Sequence, residues 1–197
     1  MSEIKSLAAP KASFDRRSVV KGAAWSVPVI AAAIAAPAAS ASARNASAGF
    51  DGLSGAVSFA PTDPKSKAKP GTGPTGFTIT NYAGAIAGPI SGTVTIQPAT
   101  SGTADPGVGF LKLTGATSFT PQPLTASKVF VGTFTANGIP ANDKLSFSMD
   151  PTSYYYTGGN GSPARDFSIS VSFTLPDGTR PNVNLDISPV TLHIAKN

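Results

Sequence analysis

The sequence predicts an all-β domain of about seven to eight short strands that follows a helical signal peptide. Two observations predict the strands. Apolar residues alternate with small polar ones, most clearly where Phe167, Ile169, Val171 and Phe173 are separated by three serines. Clusters of Gly, Pro, Asn and Asp separate these runs, as expected for turns. After Ala43, no segment of helical length places apolar residues at helical spacing, so no helix is required in the domain.

The first 43 residues have the three parts of an export signal. Basic residues, among them Arg16, Arg17 and Lys21, precede an uncharged, alanine-rich run over residues 22–43. Small residues then end the run, so cleavage is predicted after Ala41 or Ala43. An uncut membrane anchor is the alternative, since about twenty apolar residues can span a bilayer. Cleavage is favoured because the run is rich in alanine and contains two prolines.

The segment Arg16-Arg17-Ser18-Val19-Val20-Lys21 resembles the twin-arginine family of export signals. It has the paired arginines, two apolar residues and the lysine of that pattern, with Asp15 where a hydroxyl residue is usual. The resemblance implies that Arg16, Arg17 and Lys21 are recognised by the twin-arginine translocase. It also implies that the domain crosses the membrane already folded. The product is then secreted or held at the cell surface, and it meets the membrane only during export.

The remaining chain is predicted to be a flexible tether over residues 44–54 and one β domain over residues 55–197. Residues 61–76 are dense in Pro, Gly, Lys and Thr and predict a long exposed loop. Lys65, Lys67 and Lys69 are expected to be solvated there. Pro189 interrupts the last apolar run, which predicts a bulge or a change of sheet.

Two neighbouring runs, Phe77-Thr78-Ile79-Thr80-Asn81 and Gly92-Thr93-Val94-Thr95-Ile96, resemble the bacterial immunoglobulin-like domains of secreted and surface proteins. In those families a strand that ends in Asn is followed by a Thr- and Val-rich strand. The resemblance implies an immunoglobulin-like β-sandwich with a structural or adhesive role. The chain has no cysteine, so the disulfide of antibody domains is absent.

The residues needed for common catalytic sites are scarce. No thiol is available, residues 44–197 contain no glutamate, and the only histidine is His193. His193 alternates with Leu192 and Ile194 and is expected to face solvent. Most aspartates precede Pro or Gly, where Asp stabilises turns. Asn142, Asp143 and Asp150 are the candidate oxygen ligands for calcium, but no calcium-binding loop motif is present. We therefore predict no enzyme activity, no cofactor and no metal.

The net charge of +5 lies mostly in the first 21 residues. Residues 44–197 hold ten basic and eight acidic side chains. This near balance shows no sign of the clustered basic face that is typical of a nucleic-acid-binding protein.

Three consecutive tyrosines, Tyr154-Tyr155-Tyr156, precede a Gly-rich loop. Three adjacent side chains of a strand cannot all face a core, so either Tyr155 or the outer two pack inward. An exposed ring could stack on a sugar or a protein surface. The sequence thus leaves two functions: a non-enzymatic structural or adhesive protein, with a cell-wall or surface glycan or protein as partner, or a carbohydrate-binding module that uses these tyrosines.

Overall fold

The computed structural model describes residues 45–100, 106–159, 163–178 and 180–196. These residues contain no α-helix, which confirms the all-β prediction, but they form thirteen strands and not the seven to eight that the sequence predicted. The strands are β1 (Ala46–Asp51), β2 (Gly55–Pro61), β3 (Lys69–Gly73), β4 (Gly76–Asn81), β5 (Ile90–Pro98), β6 (Gly107–Phe110), β7 (Leu113–Thr114), β8 (Ser118–Pro121), β9 (Phe130–Ala136), β10 (Lys144–Met149), β11 (Tyr154–Thr157), β12 (Arg165–Asp177) and β13 (Arg180–Ile194).

The strands form two sheets. The smaller sheet, called sheet A here, has the order β1-β4-β10-β7. The larger one, sheet B, has the order β6-β11-β2-β3-β13-β12-β5-β9-β8. Neighbouring strands are antiparallel except β11 and β2, which run parallel. The long β12–β13 hairpin lies in the middle of sheet B and carries the most regular alternation of the sequence.

Sheets A and B share a core of phenylalanine rings. Phe77 of β4 stacks on Phe147 of β10 at a centroid distance of 4.8 Å. Across the interface, Phe77 contacts Phe134 of β9 at 5.8 Å and Phe173 of β12 at 5.7 Å. All four rings are buried, so the alternation in β4, β9, β10 and β12 places one apolar face of each sheet against the other.

Sheet B curls until its two edge strands approach each other. Phe110 of β6 stacks on Phe119 of β8 at 5.0 Å, although these strands lie at opposite ends of the sheet order. Phe110 also contacts Phe130 at 5.4 Å and Tyr154 at 5.7 Å. The curl thereby encloses a second aromatic cluster beneath β6, β11 and β2.

The structure corrects the predicted tether over residues 44–54 and the predicted loop over residues 61–76. Strand β1 lies within residues 44–54, which were predicted to be a flexible tether, and it pairs with β4 along its whole length. Its inward residues include Ala46 and Ala48, whose small side chains give a weak apolar signal. Strand β3 lies within the predicted loop 61–76. Its inward positions are Lys69, Gly71 and Gly73, so its sequence shows no apolar alternation.

Glycine is required in β3 because neighbouring groups are close. A Cβ at Gly71 would lie 2.1 Å from the backbone oxygen of His193 and 2.4 Å from the Phe59 ring. A Cβ at Gly73 would meet Leu192 at 2.3 Å. By contrast, the irregularity predicted at Pro189 is confirmed. Ile169 pairs with Val190 and Val171 pairs with Ile187, so the register of β12 and β13 shifts at Pro189.

Candidate functional site

The tyrosines of β11 alternate across the sheet. Tyr154 and Tyr156 are fully buried, so the outer two pack inward, one of the two arrangements that the sequence allowed. The Tyr154 hydroxyl donates to the carbonyl of Pro74 at 3.3 Å, and the Tyr156 hydroxyl donates to the carbonyl of Lys67 at 2.9 Å. Burial raises the pKa of Tyr154 well above its ordinary value. Both rings belong to the core, so their burial does not favour the predicted ligand contact at Tyr154 and Tyr156, which stays a prediction.

Tyr155 is half-buried on the opposite side of β11. Its ring meets the edge of Phe130 at 6.4 Å, and a Cβ at Gly109 would lie 2.6 Å from its hydroxyl. Partial burial raises the pKa of Tyr155. Tyr155 is thus the one member of the predicted trio with an accessible side.

The sequence predicted that Lys69 is solvated, but the structure buries it. Its side chain is only 1% exposed, and its ammonium nitrogen lies 5.3 Å from the centre of the Tyr156 ring. A cation above an aromatic face is stabilised by the quadrupole of the ring. Burial nevertheless lowers the pKa of Lys69, because desolvation penalises the charged form. Lys69 is a core residue of β3.

His193 lies half-exposed on the outer side of β13, as predicted, while Leu192 and Ile194 are buried. Its Nδ1 lies 2.6 Å from Oδ1 of Asp166 on β12. Thr72 of β3 occupies the next position across the sheet. Among the described residues, no hydroxyl is hydrogen-bonded to His193, so a nucleophile does not complete this acid–base pair.

The aspartates considered for calcium bind backbone amides instead. Oδ1 of Asp150 accepts from the amide of Thr152 at 2.9 Å and from its hydroxyl at 2.8 Å. These bonds lower the pKa of Asp150, with a smaller contribution from Lys112. Asp143 accepts from the amide of Lys144 at 2.8 Å. In the described part of the chain, no three acidic, histidine or cysteine side chains are grouped so as to hold a metal ion.

A row of hydroxyls crosses the outer face of sheet B. Ser172 of β12, Thr93 of β5, Thr133 of β9 and Thr120 of β8 occupy consecutive cross-strand positions. We call these four residues the hydroxyl row. Asp186 of β13 extends the row at one end, opposite Ser172. Directly opposite side chains lie about 5 Å apart, so the row forms a continuous polar line.

Two shallow cavities lie along this row. One has a volume of about 410 Å³ and includes all four members of the hydroxyl row in its lining. The other has a volume of about 300 Å³ and extends over the β13 bulge toward Asp186 and Pro189. Thr93 and Ser172 line both, so the two cavities adjoin, and we call them together the trough. Among the described residues that line it, Asp186 carries the only charge.

Other hydroxyls on the outer faces of the two sheets form side-chain hydrogen bonds, whereas those of the hydroxyl row do not. In the adjacent row, Ser118 and Thr135 are 2.6 Å apart, and Thr174 donates to Asn184 at 3.3 Å. On the outer face of sheet A, Thr78 donates to Asp51 at 2.7 Å. Within the described ranges, no side-chain hydrogen bond involves a member of the hydroxyl row.

Part of the hydroxyl row lies in strands that the sequence predicted. Ser172 and Thr93 belong to the polar halves of recognised alternating strands, but strand β8, which carries Thr120, was not recognised. The row itself exists only because β12, β5, β9 and β8 are adjacent in sheet B, and their order in the chain is different.

The signal residues Arg16, Arg17, Lys21, Ala41 and Ala43 lie outside the described residues. Within the described part of the chain, no helix has the length and apolar character needed to cross a membrane. Comparisons with protein-family models, with curated proteins and with solved structures found no match.

Proposed function

We propose that this chain is a secreted or cell-surface, non-enzymatic β protein with a structural or adhesive role. The observation that carries the proposal is the outer surface of the two sheets, where the described Ser and Thr residues line shallow, open depressions. Binding surfaces of this kind suit extended partners better than small substrates.

The scarcity of catalytic groups supports a role without chemistry. The only histidine of the sequence, His193, pairs with Asp166, and among the described residues no hydroxyl is hydrogen-bonded to this pair. Nucleophilic catalysis needs that third group together with donors for the developing oxyanion.

Export by the twin-arginine route is part of the proposal. It rests on Arg16, Arg17 and Lys21, and on the small residues that end the apolar run. A cysteine-free β domain suits this route, since its folding before export requires no oxidising compartment. The immunoglobulin-like sandwich also belongs to the proposal, supported by the packing of sheet A on sheet B through Phe77 and Phe173.

Export is tested by expressing the full chain in a bacterium that has the twin-arginine translocase. We expect protein in the medium or on the cell surface with a new N-terminus at Ser42 or Arg44. Replacing both Arg16 and Arg17 by lysine should retain the precursor inside the cell. A secreted product that still begins at Met1, or export that is insensitive to the double replacement, would refute this part.

The adhesive role is tested by displaying the protein on cells and measuring attachment to polysaccharide-coated surfaces against cells that lack it. Equal attachment of the two strains would contradict an adhesive role.

A carbohydrate-binding function is the second candidate. Tyr154 and Tyr156 give this function little support, because both are buried. The exposed trough on sheet B supports it instead. A Tyr155→Ala variant tests the original form, since unchanged glycan binding would remove the tyrosine site from consideration.

A further inference from the structure

We propose that the trough along the hydroxyl row binds a neutral polysaccharide chain, with Ser172, Thr93, Thr133 and Thr120 as its hydrogen-bonding residues. The proposal rests on the proposed function, because it names the ligand class through which a surface protein would adhere.

The hydroxyl row has free hydrogen-bonding capacity. The hydroxyls of the row are exposed or half-exposed, and no described residue forms a hydrogen bond with them. Each hydroxyl can donate one bond and accept two. Sugar hydroxyls have the same capacity, so a polysaccharide can match every position of the row. The neighbouring pairs Ser118–Thr135 and Thr174–Asn184 already use part of theirs.

The shape of the trough also suits a polysaccharide. The row crosses β13, β12, β5, β9 and β8, and strands lie about 4.8 Å apart, so it spans about 19 Å. The trough is long, shallow and open, which suits the side of a linear polymer. Because sheets twist, the row is not flat, and a single chain follows it better than a crystalline surface does.

The charge of the trough favours a neutral polymer. Asp186 is the only charged residue among the described ones that line the trough. Its carboxylate lies at the end of the row, where it can accept hydrogen bonds from two sugar hydroxyls. The same carboxylate repels an anionic polymer. The chemistry therefore favours a neutral glycan over an acidic one or a nucleic acid.

The test uses the purified full chain and measures its retardation in native gels that contain dextran, mannan, hydroxyethyl cellulose or polygalacturonate. We expect retardation by at least one of the neutral polymers and weaker retardation by the anionic polygalacturonate. Retardation by none of the neutral polymers, or the strongest retardation by polygalacturonate, would overturn the proposal.

Variants of the row then locate the site. Thr93→Val combined with Thr133→Val removes two hydroxyls while it keeps branched side chains that suit strands. We expect the affinity to fall about tenfold, the effect of losing two ordinary hydrogen bonds. The matched control combines Thr78→Val with Ser146→Ala on the outer face of sheet A, whose hydroxyls lie 3.0 Å apart and do not line the trough. A second control is Thr78→Val alone.

A loss of affinity in the controls equal to that in the row variant would overturn the proposal. Sedimentation must also show the same mass for the row variant and the parent. A change in oligomeric state on row substitution would mean that the row joins copies of this chain and would likewise overturn it. The export experiment does not depend on these residues. Attachment is measured separately for cells that display the row variant, and attachment equal to that of the parent would keep the adhesive role while it overturns this site.

Discussion

The ring of Phe77 links the two sheets, and its removal should destabilise the whole domain. Phe77 is fully buried on β4 and contacts Phe147 within sheet A and Phe134 and Phe173 across the interface. Truncation of a buried Phe to Ala costs about 3–5 kcal/mol through lost burial and the cavity left behind. The total stability of a domain is about 5–15 kcal/mol, so Phe77→Ala should remove a large part of it.

Urea unfolding followed by far-ultraviolet circular dichroism measures the effect. For Phe77→Ala we expect the free energy of unfolding to fall by about 3–5 kcal/mol. The melting temperature should fall by roughly 6–20 °C, at about 2–4 °C per kcal/mol for a domain of this size. Leu53→Ala is the matched control, since Leu53 is 54% exposed, and its effect should stay within about 0.5 kcal/mol.

A double-mutant cycle tests the coupling between the sheets. Phe77→Leu and Phe173→Leu each keep an apolar side chain but remove the edge-to-face contact at 5.7 Å. We expect a coupling energy of about 0.5–1.5 kcal/mol. A loss below about 1 kcal/mol for Phe77→Ala, or strictly additive leucine substitutions, would refute the reasoning that this ring joins the sheets.

Three further substitutions test local features. Gly92→Ala places a Cβ 2.3 Å from the Phe134 ring and should cost about 1–3 kcal/mol in urea unfolding, whereas Gly49→Ala meets no atom within 4 Å and serves as control; equal effects would contradict the packing argument. Asn81→Ala removes amide bonds to the carbonyls of residues 84 and 140 at 2.8 and 2.9 Å and should cost about 1–3 kcal/mol; an unchanged melting temperature would show that water replaces them. Burial lowers the pKa of Lys69, so the unfolded chain binds more protons there and the parent should gain stability as the pH rises from 7 toward 10. Lys69→Met should lack that gain in melts at several pH values, and an equal gain in the variant would assign it to another group.

The sequence predicted most strands and little of their arrangement. Alternation located strands such as β12 correctly, because burial of one sheet face has a period of two residues. It missed β3, whose inward residues are Lys69 and two glycines, and it placed β1 in a tether because alanines give a weak apolar signal. These strands are held by backbone pairing with β2, β13 and β4, and no local pattern records that pairing.

The candidate site was harder to predict. The sequence directed attention to the tyrosines of β11, where only burial could decide which rings are available. The hydroxyl row was present as ordinary polar alternation in strands far apart in the chain. Its members become neighbours because sheet B places β12, β5, β9 and β8 side by side.

What the sequence determined by itself is local: the composition, the lack of cysteine, the alternation that commits the chain to strands, and the basic and apolar segments that suggest export. These properties depend on residues close together in the chain, where patterning and side-chain chemistry act directly. The tertiary structure decided which strands pair, that Lys69 and two tyrosines are buried, and which hydroxyls bond to each other. Those outcomes depend on the sheet order and on the curl that brings β6 to β8, and both arise from contacts between distant residues.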